Sequence, residues 1–123
     1  MDLISSISEL KDLRGELKDV ERRIRELTKA KEAAGNRELQ ESLQERIDYS
    51  AERKRQIYSL LTEFQQIVDD ADITSKERRV LTLYYIDGLS WQQVAFRMGE
   101  HDEQVPRRIR NRLLRKKRNK NKS

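Results

Sequence analysis

Residues 74–99 read TSKERRVLTLYYIDGLSWQQVAFRMG, and residues 100–118 continue EHDEQVPRRIRNRLLRKKR. Thr74-Ser75-Lys76-Glu77 has the form of a capping box, in which a Thr oxygen accepts from the third amide and a Glu carboxylate accepts from the first. The spacing predicts a helix from Thr74 with Val80, Leu81, Tyr84 and Tyr85 on its buried face, ended by Asp87-Gly88. Ser90 is placed to cap a second helix, Trp91 to about Met98, with Val94, Ala95 and Met98 inward. Gly99 suits the turn that follows because it carries no Cβ, and Ala95 is small enough for a close crossing. A third helix runs to about Lys117, with Val105, Ile109, Leu113 and Leu114 facing the core. Inside a helix Pro106 costs about 3 kcal/mol. The third helix therefore starts near Asp102–Glu103 with Pro106 in its first turn, or it starts later. The layout is that of a helix-turn-helix, whose last helix enters the major groove of DNA.

Upstream, residues 2–34 carry Leu3, Ile7, Leu10, Leu13, Leu17, Val20, Ile24 and Leu27 at steps of three and four. That is one stripe of an amphipathic helix, with a coiled-coil seam from Leu17 onward. Gly35-Asn36 interrupts it: Gly suits the left-handed end of a helix and Asn the cap of the next. A second long helix is expected from about Arg37 to about Asp70, with Leu39, Leu43, Ile47, Ile57, Leu61, Phe64, Ile67 and Val68 in phase. Its seam weakens where Ser50 and Lys54 fall in register. An antiparallel helical hairpin is the favoured reading. The alternative is one straight helix through Gly35 in an intermolecular coiled coil. The acidic stretch Asp69-Asp70-Ala71-Asp72 is placed as the boundary.

The expected fold is therefore all-α, with a hairpin or coiled coil over 1–72, a helix-turn-helix over 73–117 and a basic tail over 118–123. Apolar residues make up 35% and charged residues 40% of the 123, which suits thin helical packing better than a large globular core. There is no cysteine and one histidine, His101, so disulfides and thiolate or histidine-cluster metal sites are excluded. His101 is read as a turn residue or a phosphate contact. No stretch has the ~18 apolar residues of a membrane span, and the N-terminus does not read as a secretory signal. No cofactor, metal site or catalytic constellation is expected, and the chain is not read as an enzyme.

Charge is unevenly placed. Ten of the 27 Lys and Arg lie in residues 104–123, which hold no acid; the other 17 share residues 1–103 with 22 acids. A mildly acidic body with a basic end is the footprint of a polyanionic partner. Arg107, Arg108, Arg110, Arg112 and Arg115 are expected to line the open side of the last helix and neutralise phosphates. Glu103 and Gln104 are candidate base readers, since a carboxylate accepts from cytosine N4 and a glutamine pairs with adenine. Tyr84 and Tyr85 are read as core and Trp91 as partly buried against the module. No aromatic platform of the kind that stacks RNA bases accompanies the basic residues.

The run Glu77 to Gly99 resembles region 4 of bacterial sigma factors, whose pattern is E-R-x-V-L-x-L-x-Y-x-x-G-x-S-x-x-x-I-A-x-x-L-G. A similar module occurs in RinA-like and ArpU-like phage activators of late genes, and in a phage family that puts a charged helical hairpin before it. The resemblance covers residues 74–117 and implies a phage or prophage transcription regulator in the cytoplasm of a bacterial host. It implies double-stranded DNA as partner and contact with RNA polymerase; because one such module binds weakly alone, a homodimer on paired half-sites is expected. It also implies the recognition-helix role for Glu103, Gln104, Arg107, Arg108 and Arg110. Where the family has Ser or Thr before that helix, this chain has His101-Asp102, and Asp102 is placed to cap. No stretch of this sequence reads as sigma region 2, the part that melts promoters, so an accessory binder is expected rather than a complete sigma factor. Two alternatives stand beside this reading. One is an interaction protein that works through its helical hairpin. The other is a DNA-packaging subunit of the small-terminase kind, although those place the DNA module first.

Overall fold

The computed structural model describes residues 3–121, and their side chains as far as Arg118. Every element among them is helical: α1 Leu3–Ala33, α2 Arg37–Asp70, α3 Ser75–Leu81, α4 Trp91–Arg97 and α5 Gln104–Asn121, with a π-helical turn over Thr82–Ile86 that continues α3. No described helix is long and apolar enough to cross a membrane. The chain divides into two compact units, one made of Asp12–Leu60 and the other of Met1–Lys11 with Leu61–Ser123.

In the unit spanning 12–60, α1 and α2 meet through a thin apolar layer of Leu17, Val20, Leu27, Leu43 and Ile57, with Ser50 buried among the polar positions. Polar bonds tie the helices across that layer. Arg53 holds Glu16 with two guanidinium nitrogens, one of them 2.7 Å from Oε1, and Lys31 Nζ donates to Gln44. These pairs run in opposite order along the two helices, so the segments are antiparallel and joined within one chain. The turn differs from expectation in one respect. Asn36 caps α2, its Oδ1 accepting from Leu39 N at 2.8 Å, but Gly35 is not in the left-handed region, which only Gly88 and Gly99 occupy among the described residues. The end of α1 is closed instead by a tighter bond, Ala34 N to Lys31 O, and by Gln40 Nε2 donating to Ala34 O. Leu39, expected in the seam, is 47% exposed; it lies in the first turn of α2, before the layer begins at Leu43.

The other unit buries more apolar side chains. Its core includes Leu61, Phe64, Val68, Val80, Leu81, Leu83, Tyr85, Val94, Ala95 and Leu113. α3 packs on α5 and on the π-turn, and α4 packs on α5. The acidic stretch at 69–72 is clamped to this unit: Arg78 donates to Val68 O and Ala71 O, each at 3.2 Å, and Lys117 Nζ donates to Asp72 O at 3.1 Å. Val68, Ala71 and Asp72 thus lend their carbonyls to side chains of α3 and α5.

The capping box at Thr74 is present with both reciprocal bonds, and Ser90 forms a second one with Gln93. The largest departure from the expected pattern is the π-turn. An unbroken α-helix places Tyr84 beside Val80 and Leu81. Here Asp87 N bonds back to Thr82 O at 2.9 Å, an i→i−5 closure,. The extra residue turns Leu83 into the core and moves Tyr84 to a half-buried position.

Candidate nucleic-acid interface

The turn between α4 and α5 sets the start of the basic helix. Gly99 has φ of 76°, a backbone region that side chains with a Cβ adopt only with strain. Gly99 N then bonds to Phe96 O and Glu100 N to Ala95 O, the paired closure of a Schellman motif. Three residues later Asp102 Oδ1 accepts from Gln104 N at 2.9 Å, and Val105 N bonds to Asp102 O. α5 therefore begins at Gln104, and Pro106 falls in its first turn. The amide that Pro106 lacks is one that no helical carbonyl would have met, and its ring is fully buried.

At 100° per residue, Arg108, Arg112 and Arg115 lie within about 60° of one another on α5, and all three are exposed. Leu113 and Pro106 are buried on the far side. Glu103 stands exposed just before the helix and Gln104 is half-buried at its first residue. His101 is exposed in the turn. The described part of α5 contains no acid, so the open stripe is uniformly cationic.

Arg107 and Arg110 depart from the expected open face. Both fold against the module's own aromatic residues. The Arg110 guanidinium carbon is 4.8 Å from the centre of the Trp91 ring and 5.9 Å from that of Tyr84; that of Arg107 is 5.8 Å from Trp91. Tyr84 stacks on Trp91 with centroids 3.9 Å apart and planes 13° apart, and Tyr85 meets Tyr84 edge-on at 4.9 Å. Arg110 also donates to the Tyr85 hydroxyl at 3.4 Å and to Asn111 Oδ1 at 3.1 Å. Burial pushes the Tyr85 phenol above its ordinary pKa, against the opposing effect of the Arg110 hydrogen bond. Tyr85 therefore meets Arg110 as a neutral hydroxyl.

This seat of three aromatic rings and two guanidiniums was not foreseen in the sequence. It depends on the π-turn, which aims Tyr84 at Trp91, and no local pattern announces that turn. Among the described residues no group of three or more His, Cys, Asp or Glu is arranged to hold a metal. No protein-family model, curated protein or solved structure matches the chain.

Proposed function

We propose that this chain is a DNA-binding transcription regulator of phage or prophage type, and that α3, α4 and α5 form a helix-turn-helix similar to sigma region 4. The observation that carries the proposal is the acid-free exposed stripe Arg108, Arg112 and Arg115 on a helix whose opposite side is anchored by Pro106 and Leu113. A capped helix with a cationic ridge fits between the phosphate walls of the major groove, and Gln104 at its start, with Glu103 just before it, then reaches base edges. On this reading α1 and α2 join two copies or contact RNA polymerase, and the dimer binds paired half-sites in the bacterial cytoplasm.

The test is the binding of full-length protein to duplex DNA across a salt series. Contacts to several phosphates give a log K that falls steeply and linearly with log salt. A flat dependence, or no binding at low salt, contradicts the proposal.

A second reading has its own observation. On α2, Leu39, Tyr49 and Leu60 are exposed, Tyr49 at 77%, and they fall within about 80° of one another around the helix. These residues favour a protein-contact role for the 12–60 unit. If Tyr49→Ser abolishes function while duplex affinity is unchanged, this role is the principal one.

A further inference from the structure

The arginines of the C-terminal unit fall into two kinds. Arg78 and Arg79 are satisfied by the fold: their guanidiniums end on backbone carbonyls, those of Val68 and Ala71 for the first and that of Arg97 for the second. Arg107 and Arg110 are not satisfied in this way. The Nε of Arg107 is shut off from solvent with no hydrogen-bond acceptor. The Nη2 of the same side chain faces Glu103 Oε1 at 3.6 Å, an ion pair that is longer than a hydrogen bond,. Among the described residues Arg110 bonds to two neutral oxygens, one of them at 3.4 Å.

Both cations nevertheless sit against one indole ring. Two like charges on a shared ring repel each other, and the ring quadrupole offsets only part of that. Among the described residues the Glu103 carboxylate beside Arg107 is the one acid paired with these two cations, which leaves one positive charge at the ring for a second anion to meet. We propose that Trp91 is the positioning residue of a phosphate seat in which Arg107 and Arg110 together hold one phosphodiester of the DNA backbone. Trp91 touches no phosphate on this account. It fixes the two guanidinium planes in advance, with Tyr84 stacked on it and the Tyr85 hydroxyl steadying Arg110. The inference rests on the DNA-binding reading and adds a division of labour to it. Arg108, Arg112 and Arg115 approach the groove as mobile side chains, whereas Arg107 and Arg110 are set before the duplex arrives.

The test uses the full chain, a labelled mixed-sequence duplex at several salt concentrations, and Trp91 as an internal probe, since it is the single tryptophan. Each phosphate neutralised contributes about 0.9 to the slope of log K against log salt. Trp91→Ala removes no charge, yet it is expected to make the slope shallower by about 0.9, and Trp91→Phe, which keeps a ring, to restore it. A weaker affinity for Trp91→Ala at unchanged slope overturns the proposal, because a purely structural role predicts that result. If Trp91→Ala does not fold, Arg110→Gln is read through the emission of Trp91. Saturable quenching by duplex in the wild type and its loss in Arg110→Gln support the seat, and identical quenching in both overturns it. If the wild type binds no duplex at any salt, the DNA reading has failed by itself. Inorganic pyrophosphate then decides the seat: a saturable emission change that Arg110→Gln abolishes supports it, and no change ends it.

Discussion

Residues 12–60 and the C-terminal unit solve the same problem, holding helices together in a highly charged chain, by different means. Between Asp12 and Leu60 five apolar side chains are buried, and cross-helix polar bonds supplement them. The C-terminal unit gathers its apolar residues around helices two of which are only seven residues long, and fixes several helix ends with a capping box, a left-handed glycine or a side-chain clamp. The difference teaches where precision is needed. A long pair of helices tolerates slack because every turn repeats the last. A seven-residue helix such as α4 has few repeats, and its direction is set by what happens at its ends.

Core truncation gives the largest test of this contrast. Leu113→Ala removes a fully buried side chain from the centre of the C-terminal unit and is expected to cost about 2–5 kcal/mol in chemical denaturation. Leu43→Ala, in the thinner layer, is expected to fall at or below the low end of that range. Equal costs in the two places would erase the distinction.

The glycines sharpen it. Gly99→Ala places a Cβ at φ of 76°, where the open space around it does not relieve the backbone cost of about 1–2 kcal/mol. Gly35 lies outside the left-handed region and also has nothing within 4 Å of an added Cβ. Gly35→Ala is therefore expected to be neutral or to stabilise by up to about 1 kcal/mol, through the unfolded chain. Thermal melts of the two variants should move in opposite directions.

Caps come next in size. Thr74→Ala removes the side-chain acceptor of a capping box and is expected to cost about 1 kcal/mol. The smallest effect lies at Glu16. The hydrogen bond from Arg53 holds its carboxyl below the ordinary range, so its contribution is present above the unfolded pKa and is lost as pH falls through the folded one. The pair is about two-fifths exposed, which limits it to well under 1 kcal/mol. Glu16→Gln should flatten the acid side of the stability profile by no more than that.

What the sequence disclosed follows the same division. Most helix bounds, the caps at Asn36, Thr74, Ser90 and Asp102, the turn at Gly99 and the place of Pro106 were legible, because each depends on a few neighbouring residues; the end of the last helix was not, since α5 runs past the expected stop at Lys117 to Asn121. The exchange of Leu83 for Tyr84 in the core was not, because no local residue pattern calls for the bond from Asp87 N to Thr82 O that makes the π-turn. The setting of Arg107 and Arg110 was hidden for the same reason. Residues 107 and 110 look identical in kind to 108 and 112 until Trp91, well upstream of both, is brought beside them. Gly35 failed the other way: its residue type allowed a left-handed turn that the chain did not need.

The central claim is that the open stripe of α5 meets DNA phosphates. The most direct measurement is the salt dependence of duplex binding by a triple variant, Arg108→Gln with Arg112→Gln and Arg115→Gln, against the wild type. All three side chains are exposed, so the melting temperature should change little. The slope of log K against log salt is expected to become shallower by about 2 to 3, near 0.9 for each lost contact. An unchanged slope in a folded variant would show that DNA does not meet this face, and the account would be contradicted.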